Sequence, residues 1–212
     1  SNDAACIFNK EDHSGPHHNE TLGSFVDEAL SFIDSHDLVL DAVAVSCGPG
    51  SYTGLRIGTS MAKGICYGRD VRLIAIPTLE LLAVPVLLQE LPKAEDALLV
   101  PMLDARRMEV YAQVFDRALN EIRPVQADIV TADTYRDQLD KGPVYFFGNG
   151  AAKCMSTINH ANAHLVEGIL PLAKNMFPLA EKRIAQGKYE DVAYFVPFYL
   201  KDFVAKTPKK LL

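Results

Sequence analysis

Cysteine is scarce and poorly spaced for metal or disulfide work. Cys6, Cys47, Cys66 and Cys154 are scattered with no C-x-x-C pair, which argues against a disulfide framework and points to a reducing compartment. Long apolar runs are also missing. None approaches twenty residues, so nothing reads as a membrane-spanning helix, and no signal peptide opens the sequence. Positive charge is in deficit, 21 Lys and Arg against 27 Asp and Glu, and an acidic chain is not by itself a nucleic-acid binder. No G-x-S-x-G elbow or obvious base accompanies Ser46 or Ser51, so neither reads as a nucleophile. What these absences leave is a globular, cytoplasmic protein with no membrane partner, its 212 residues sufficient for one or two domains with a real core.

The charge deficit is uneven. Residues 1–100 carry 6 Lys or Arg and 14 Asp or Glu, a balance of −8, whereas residues 101–212 carry 15 and 13, a balance of +2. Any basic surface therefore belongs to the second half. The tail holds Lys201, Lys206, Lys209 and Lys210. It reads as a solvated end, with contact to RNA as the alternative.

The most informative stretch present is Ser46-Cys47-Gly48-Pro49-Gly50-Ser51-Tyr52-Thr53-Gly54-Leu55-Arg56. It follows an apolar strand pattern at 42–47 and precedes a helical pattern at 53–68. A Gly-rich turn before a helix N-terminus gathers unpaired N–H groups that can receive an anion. The simpler reading is that Gly48, Pro49, Gly50, Ser51, Thr53 and Gly54 only make a tight turn with close helix packing. Arg56, one turn into the helix, opposes the dipole and calls for an anionic partner.

Around this turn the first half reads as a strand at 4–9, then a helix through Leu22, Phe25, Val26, Ala29, Leu30 and Ile33 with Asn19 or Thr21 as N-cap. The 42–47 strand, the 53–68 helix and a strand at 73–77 follow, then a helix at 78–88 that Pro85 interrupts. The second half reads as strands at 98–103 and 110–115, an extended stretch at 120–125, a helix at 131–139, a strand at 144–147, the turn Gly148-Asn149-Gly150, a helix at 172–186 and an extended basic end. This alternation predicts an α/β fold with a partly parallel sheet. The halves share one plan, giving a division into 1–96 and 97–212. The first half looks short of its opening strand, and about fifteen preceding residues are expected.

Four segments, Ser46–Gly64, Ile76-Pro77-Thr78-Leu79-Glu80, Leu103–Tyr111 and Pro197-Phe198-Tyr199-Leu200-Lys201, together resemble the TsaB (YeaZ) family, bacterial relatives of the tRNA threonylcarbamoyl-adenosine transferase subunit TsaD. The resemblance implies an actin/Hsp70/sugar-kinase-like (ASKHA) fold of two similar lobes. It further implies a scaffold or activating subunit, without catalysis of its own, that pairs with TsaD in placing a threonylcarbamoyl group on ANN-decoding tRNAs. The wider complex includes a TsaE-like ATPase and uses ATP; no cofactor is assigned to this chain. The catalytic relative holds its metal on an H-x-x-x-H helix after a buried strand. The matching residues here, 76–83, contain no His and offer Glu80 alone.

Other candidates carry weaker patterns. His160 and His164 have H-x-x-x-H spacing but polar surroundings, so solvated histidines stand against a metal pair, and His17-His18 reads as a loop before the first helix. In kinases of this fold a D-x-G hairpin approaches phosphate; here it reads Asp104-Ala105-Arg106, the Gly gone. Gly148-Asn149-Gly150 is a turn that could line a ligand pocket. Asp104, Arg106 and Glu109 form either an ion-pair cluster at the hairpin mouth or a polar interface.

The helix at 53–68 carries small residues at every fourth position, Gly54, Gly58, Ala62 and Cys66, flanked by Ile57, Met61 and Ile65. With Leu22, Phe25, Val26 and Ala29 of the helix before it, this apolar band reads from the residues alone as a domain core, with a partner interface as the alternative; the resemblance, whose family pairs through these helices, implies the interface. The isolated chain is expected to form homodimers by the same surface. Two rival functions are an ATPase or small-molecule kinase of the same fold and a metalloprotease.

Overall fold

The computed structural model describes the backbone of residues 6–12 and 18–201 and the side chains of 6–12 and 21–201. Helix α1 (His18–Ser35) precedes a β-α-β unit: β1 (Ala42–Gly48), α2 (Tyr52–Arg69) and β2 (Arg72–Pro77). The two strands pair in parallel, Ala42 opposite Arg72 and Ser46 opposite Ile76, which the intervening helix makes possible. Residues 6–9 form no strand; the expected 4–9 strand otherwise lies outside the described residues, as does His17. Helix α1 begins at His18, so Asn19 and Thr21 sit inside it and do not cap it.

Helix α3 (Thr78–Leu88) is apolar apart from Thr78 and Glu80 of its first turn, with Leu79, Leu81, Leu82, Ala83, Val84 and Val86 all buried, as a helix between two layers must be. One side meets Ile74 and Ile76 of β2; the other meets Leu99, Phe115 and Phe147 of the second sheet. At ~1.5–3 kcal/mol for each large apolar side chain removed from water, this packing outweighs the hydrogen bond lost at Pro85. The helix therefore runs through the proline instead of stopping there.

The second sheet contains β3 (Leu98–Asp104), β4 (Glu109–Phe115), β5 (Glu121–Ile129), β6 (Val144–Phe147) and β7 (Ala163–Val166), in the order β5-β4-β3-β6-β7. Strands β3, β4 and β5 pair antiparallel; β3–β6 and β6–β7 are parallel. The expected helix at 131–139 shrinks to α4 (Arg136–Leu139) because Thr134 Oγ1 accepts the Thr131 N–H at 2.7 Å and holds a turn. The helix expected at 172–186 begins as a 3₁₀ turn, Ala173–Met176. It becomes α5 (Phe177–Ala185) where Pro178 occupies the first turn.

Helix α5 returns to the first sheet. Leu179 is buried among Ile74, Ile76, Leu81 and Val84, and the Glu190 N–H bonds the Leu73 carbonyl at 2.9 Å. A division at 96/97 therefore cuts through shared packing, since α3 and α5 each contact the opposite half. Among the described residues, no helix is long and apolar enough to cross a membrane.

Candidate functional site

Helix α2 has two faces. Leu55, Thr59, Ala62 and Cys66 point into the protein, where Ala62, 4% exposed, and Cys66, 2% exposed, pack on Val45 and Leu73. Gly58 faces Val45 as well; a Cβ added there would stand 3.8 Å from Val45 Cγ2. Gly58, Ala62 and Cys66 of the stripe thus seat the helix on its own sheet, while Gly54 lies against the Ser51 cap. Ala62, expected in the partner interface, belongs to the core because the sheet occupies that side.

The outer face presents a different set. Arg56, Ile57, Ser60, Met61, Gly64, Ile65 and Gly68 join Val26 and Leu30 of α1 to line an open, mainly apolar groove of about 750 Å³. Gly64 and Gly68 have nothing within 4 Å of an added Cβ, so a second stripe of small residues, Ser60-Gly64-Gly68, lies on the accessible side. At one end of the groove Arg69 grips Asp34 of α1 with two hydrogen bonds of 2.7 Å, and this bond holds the Asp34 carboxyl below its ordinary range. At the other end Arg56 stands 5.5 Å over the Tyr52 ring. Of the expected interface residues, Val26, Ile57, Met61 and Ile65 line this groove. Leu22, Phe25 and Ala29, with Val26, line a smaller depression against Phe8, Ala173 and Phe177.

The Gly-rich loop serves a packing role. Gly48 has φ +117°, and a Cβ there would collide with the Phe198 carbonyl oxygen. The Phe198 N–H in turn bonds the Cys47 carbonyl at 2.8 Å. Ser51 caps α2, its Oγ accepting the Gly54 N–H at 3.3 Å. Thr53 and Arg56 are exposed. The C-terminal segment therefore lies across the loop as a strap, with Tyr52 and Tyr199 ring centroids 5.0 Å apart and Lys63 Nζ donating to the carbonyls of Ala193 and Phe195. The strap leaves Tyr194 and Val196 largely exposed. Cys47 beneath it is inert: burial pushes its thiol up to about 11.

The four segments quoted from the sequence meet in space. Ser46 and Thr78 share a hydrogen bond of 2.7 Å, Cys47 and Tyr52 touch the strap, and Lys201 pairs with Glu109 of the β3–β4 hairpin. At the hairpin the acids form their ion pairs with lysines, and Arg106 meets Asp104 through its backbone N–H. Lys153 Nζ binds Asp104 Oδ1 and donates to the carbonyls of Arg107 at 2.7 Å and Glu109 at 2.8 Å. The Lys153 hydrogen bond holds Asp104 below the ordinary carboxylate range. Gly148 (φ +94°) and Gly150 lie against the backbone of β3, and Asn149 Oδ1 accepts the Asp104 N–H at 2.9 Å, so this turn is structural.

A family model described as TsaD, tRNA N6-adenosine threonylcarbamoyltransferase, matches residues 12–209. The tRNA threonylcarbamoyladenosine biosynthesis protein TsaB of Bacillus subtilis (strain 168) is 30% identical over 169 residues, 76% of this chain and 70% of its own. The chain belongs to the TsaB/YeaZ family. TsaB of Escherichia coli (strain K12) is 28% identical over 203 residues, covering 91% of this chain and 85% of that protein. YeaZ from Pseudomonas aeruginosa superposes with a TM-score of 0.67 at 21% identity over 87% of this chain and 86% of its own. A second Pseudomonas aeruginosa structure, of an uncharacterized protein with similarity to peptidase YeaZ, superposes with a TM-score of 0.71 at 20% identity over 84% and 83%. Both show the same mixed α/β fold.

In this TsaB-family chain Glu80, on the first turn of α3, is held by Arg183 of α5 at 2.9 Å, both half-buried. The pairing spans 103 positions and left no local signal in the sequence. His160 and His164 lie on no helix. His160 Nδ1 accepts the Asn162 N–H at 3.1 Å in a turn, and His164 sits on β7 stacked 5.0 Å from Tyr145, so the i,i+4 geometry that would align two imidazoles is missing. Among the described residues no three His, Cys, Asp or Glu side chains gather to hold a metal.

Proposed function

We propose that the chain is a non-catalytic scaffold and activating subunit that docks on a TsaD-type protein during formation of threonylcarbamoyladenosine in tRNA. The observation that carries this reading is the groove between α1 and α2. Ile57, Met61, Ile65, Val26 and Leu30 offer an accessible apolar band, while Ser60, Gly64 and Gly68 let a partner's backbone come close. An ion pair closes one end and an arginine marks the other, an apolar centre with a polar rim. A TsaD-type helix pair packing there would complete a four-helix interface.

Three of the candidate features are engaged in structure. Glu80 neutralises Arg183, Asp104 binds Lys153, and the Gly-rich loop is covered by the strap. These pairings support a subunit whose part in the chemistry is to hold its partner. The two-lobed ASKHA architecture and a TsaE-type ATPase as a third component belong to the same proposal. The test is to mix the chain with purified TsaD and measure association and tRNA modification, with Ile57→Asp and Met61→Asp as interface variants. Loss of both readouts by folded variants supports the reading. Modification supported equally by wild type and variants overturns it.

A further inference from the structure

We propose that the β3–β4 hairpin is an RNA-backbone contact, in which Arg106 and Arg107 bind phosphate; this rests on the tRNA-modifying role above. Both residues hold left-handed backbone, φ +73° and +50°, which bulky residues rarely adopt. The turn is fixed from four directions. Asp104 Oδ1 accepts the Arg106 N–H at 2.9 Å, and the Glu109 N–H bonds the Arg106 carbonyl at 3.1 Å. Lys153 holds the Arg107 carbonyl, and the Val130 N–H bonds the Met108 carbonyl at 3.0 Å. The result is a rigid tip from which two adjacent arginine side chains emerge exposed.

The two acids of the hairpin form their ion pairs with lysines, Asp104 with Lys153 and Glu109 with Lys201. Among the described residues neither Arg106 nor Arg107 has an ion pair. Four cations against two anions leave the tip at +2 on a chain whose net charge is −6. In sequence, Lys206, Lys209 and Lys210 follow Lys201. No exposed large apolar side chain lies on residues 104–109. A protein interface needs an apolar centre, whereas a phosphate backbone needs only fixed cationic donors. RNA is therefore the better occupant than an acidic protein face.

The experiment compares wild type, Arg106→Ala/Arg107→Ala and Arg106→Lys/Arg107→Lys. Each is titrated with unmodified tRNA across a range of salt, both alone and bound to TsaD, with thermal midpoint and TsaD association measured alongside. Two phosphate contacts are worth a salt slope of about 2, so the alanine pair should bind about 50-fold more weakly near 0.1 M salt and converge on wild type near 1 M. The lysine pair should keep most of the slope. An unchanged affinity and slope in the alanine pair overturns the proposal. Loss of TsaD association by that pair at an unchanged thermal midpoint also overturns it and assigns the arginines to a protein face. If the wild-type chain fails to bind TsaD, the functional reading falls instead. The RNA affinity of the isolated chain with and without the two arginines then decides the hairpin proposal on its own.

Discussion

Two neighbouring residues on α2 give opposite outcomes when replaced by aspartate. Met61 lies on the open groove and Ala62 on the sheet side. In the isolated chain the carboxylate of Met61→Asp stays in water, so stability should change by less than about 1 kcal/mol. In the complex that carboxylate would be desolvated without a partner, at a cost of several kcal/mol, and the buried methionine, about 1.5–3 kcal/mol, would be lost. A total near 5 kcal/mol weakens association by between three and four orders of magnitude, about tenfold for each 1.4 kcal/mol. Ala62→Asp places its charge against Val45 and Leu73 and should cost about 3–5 kcal/mol of folding stability or prevent folding. Thermal melts separate the two variants, and titration calorimetry against TsaD measures the binding loss. Wild-type affinity in Met61→Asp would refute the groove as the interface. A well-folded Ala62→Asp that alone loses binding would return that role to the Gly54-Gly58-Ala62-Cys66 stripe.

Gly48→Ala should cost about 2 kcal/mol or more, because it combines left-handed backbone with a collision at the Phe198 carbonyl; limited proteolysis should then cut within residues 193–200 sooner than in wild type. Arg123 of β5 and Tyr135, just before α4, both bind the buried Asp128 carboxylate of β5, the tyrosine hydroxyl donating at 2.6 Å. Tyr135→Phe should lose about 1–2 kcal/mol in denaturant titrations, and Arg123→Ala about 3–5 kcal/mol because it strands a buried anion. Asp104 has a lowered carboxyl pKa through Lys153, so its contribution is complete above the unfolded carboxylate pKa of about 4 and fades as pH falls through the lower folded value. Thermal midpoints of Asp104→Asn should accordingly depend less on pH below about 4 than those of wild type.

Strands β1, β2, β3, β4 and β6 were legible because short β-branched and apolar runs ended at Gly, Pro or charged residues, and α2 was legible from its apolar repeat. Its orientation was not. The helix carries two stripes of small residues, Gly54-Gly58-Ala62-Cys66 and Ser60-Gly64-Gly68, and periodicity alone cannot say which one meets the sheet. Strand β7 has only four residues with a histidine among them, too short for alternation to register. The strap has no internal repeat, since its hydrogen bonds go to residues about 130 to 150 positions away, and Glu80–Arg183 is equally remote. The hairpin's ion-pair partners were hidden for a related reason: Asp104, Arg106 and Glu109 are close in sequence, yet the cations that pair with the two acids, Lys153 and Lys201, arrive from elsewhere in the chain.

Because α3 contributes side chains to the layer between the two sheets, that layer belongs to neither half alone, although a second cluster, from Val100 to Ile158, lies wholly in the second half. Cutting the chain beside this helix would leave one fragment with an uncovered sheet and the other with a greasy helix in water. The two sheets should consequently melt in a single transition. Any rocking of one sheet against the other is limited to what a close-packed helix tolerates, so the partner proposed to dock on α2 would meet a rigid body.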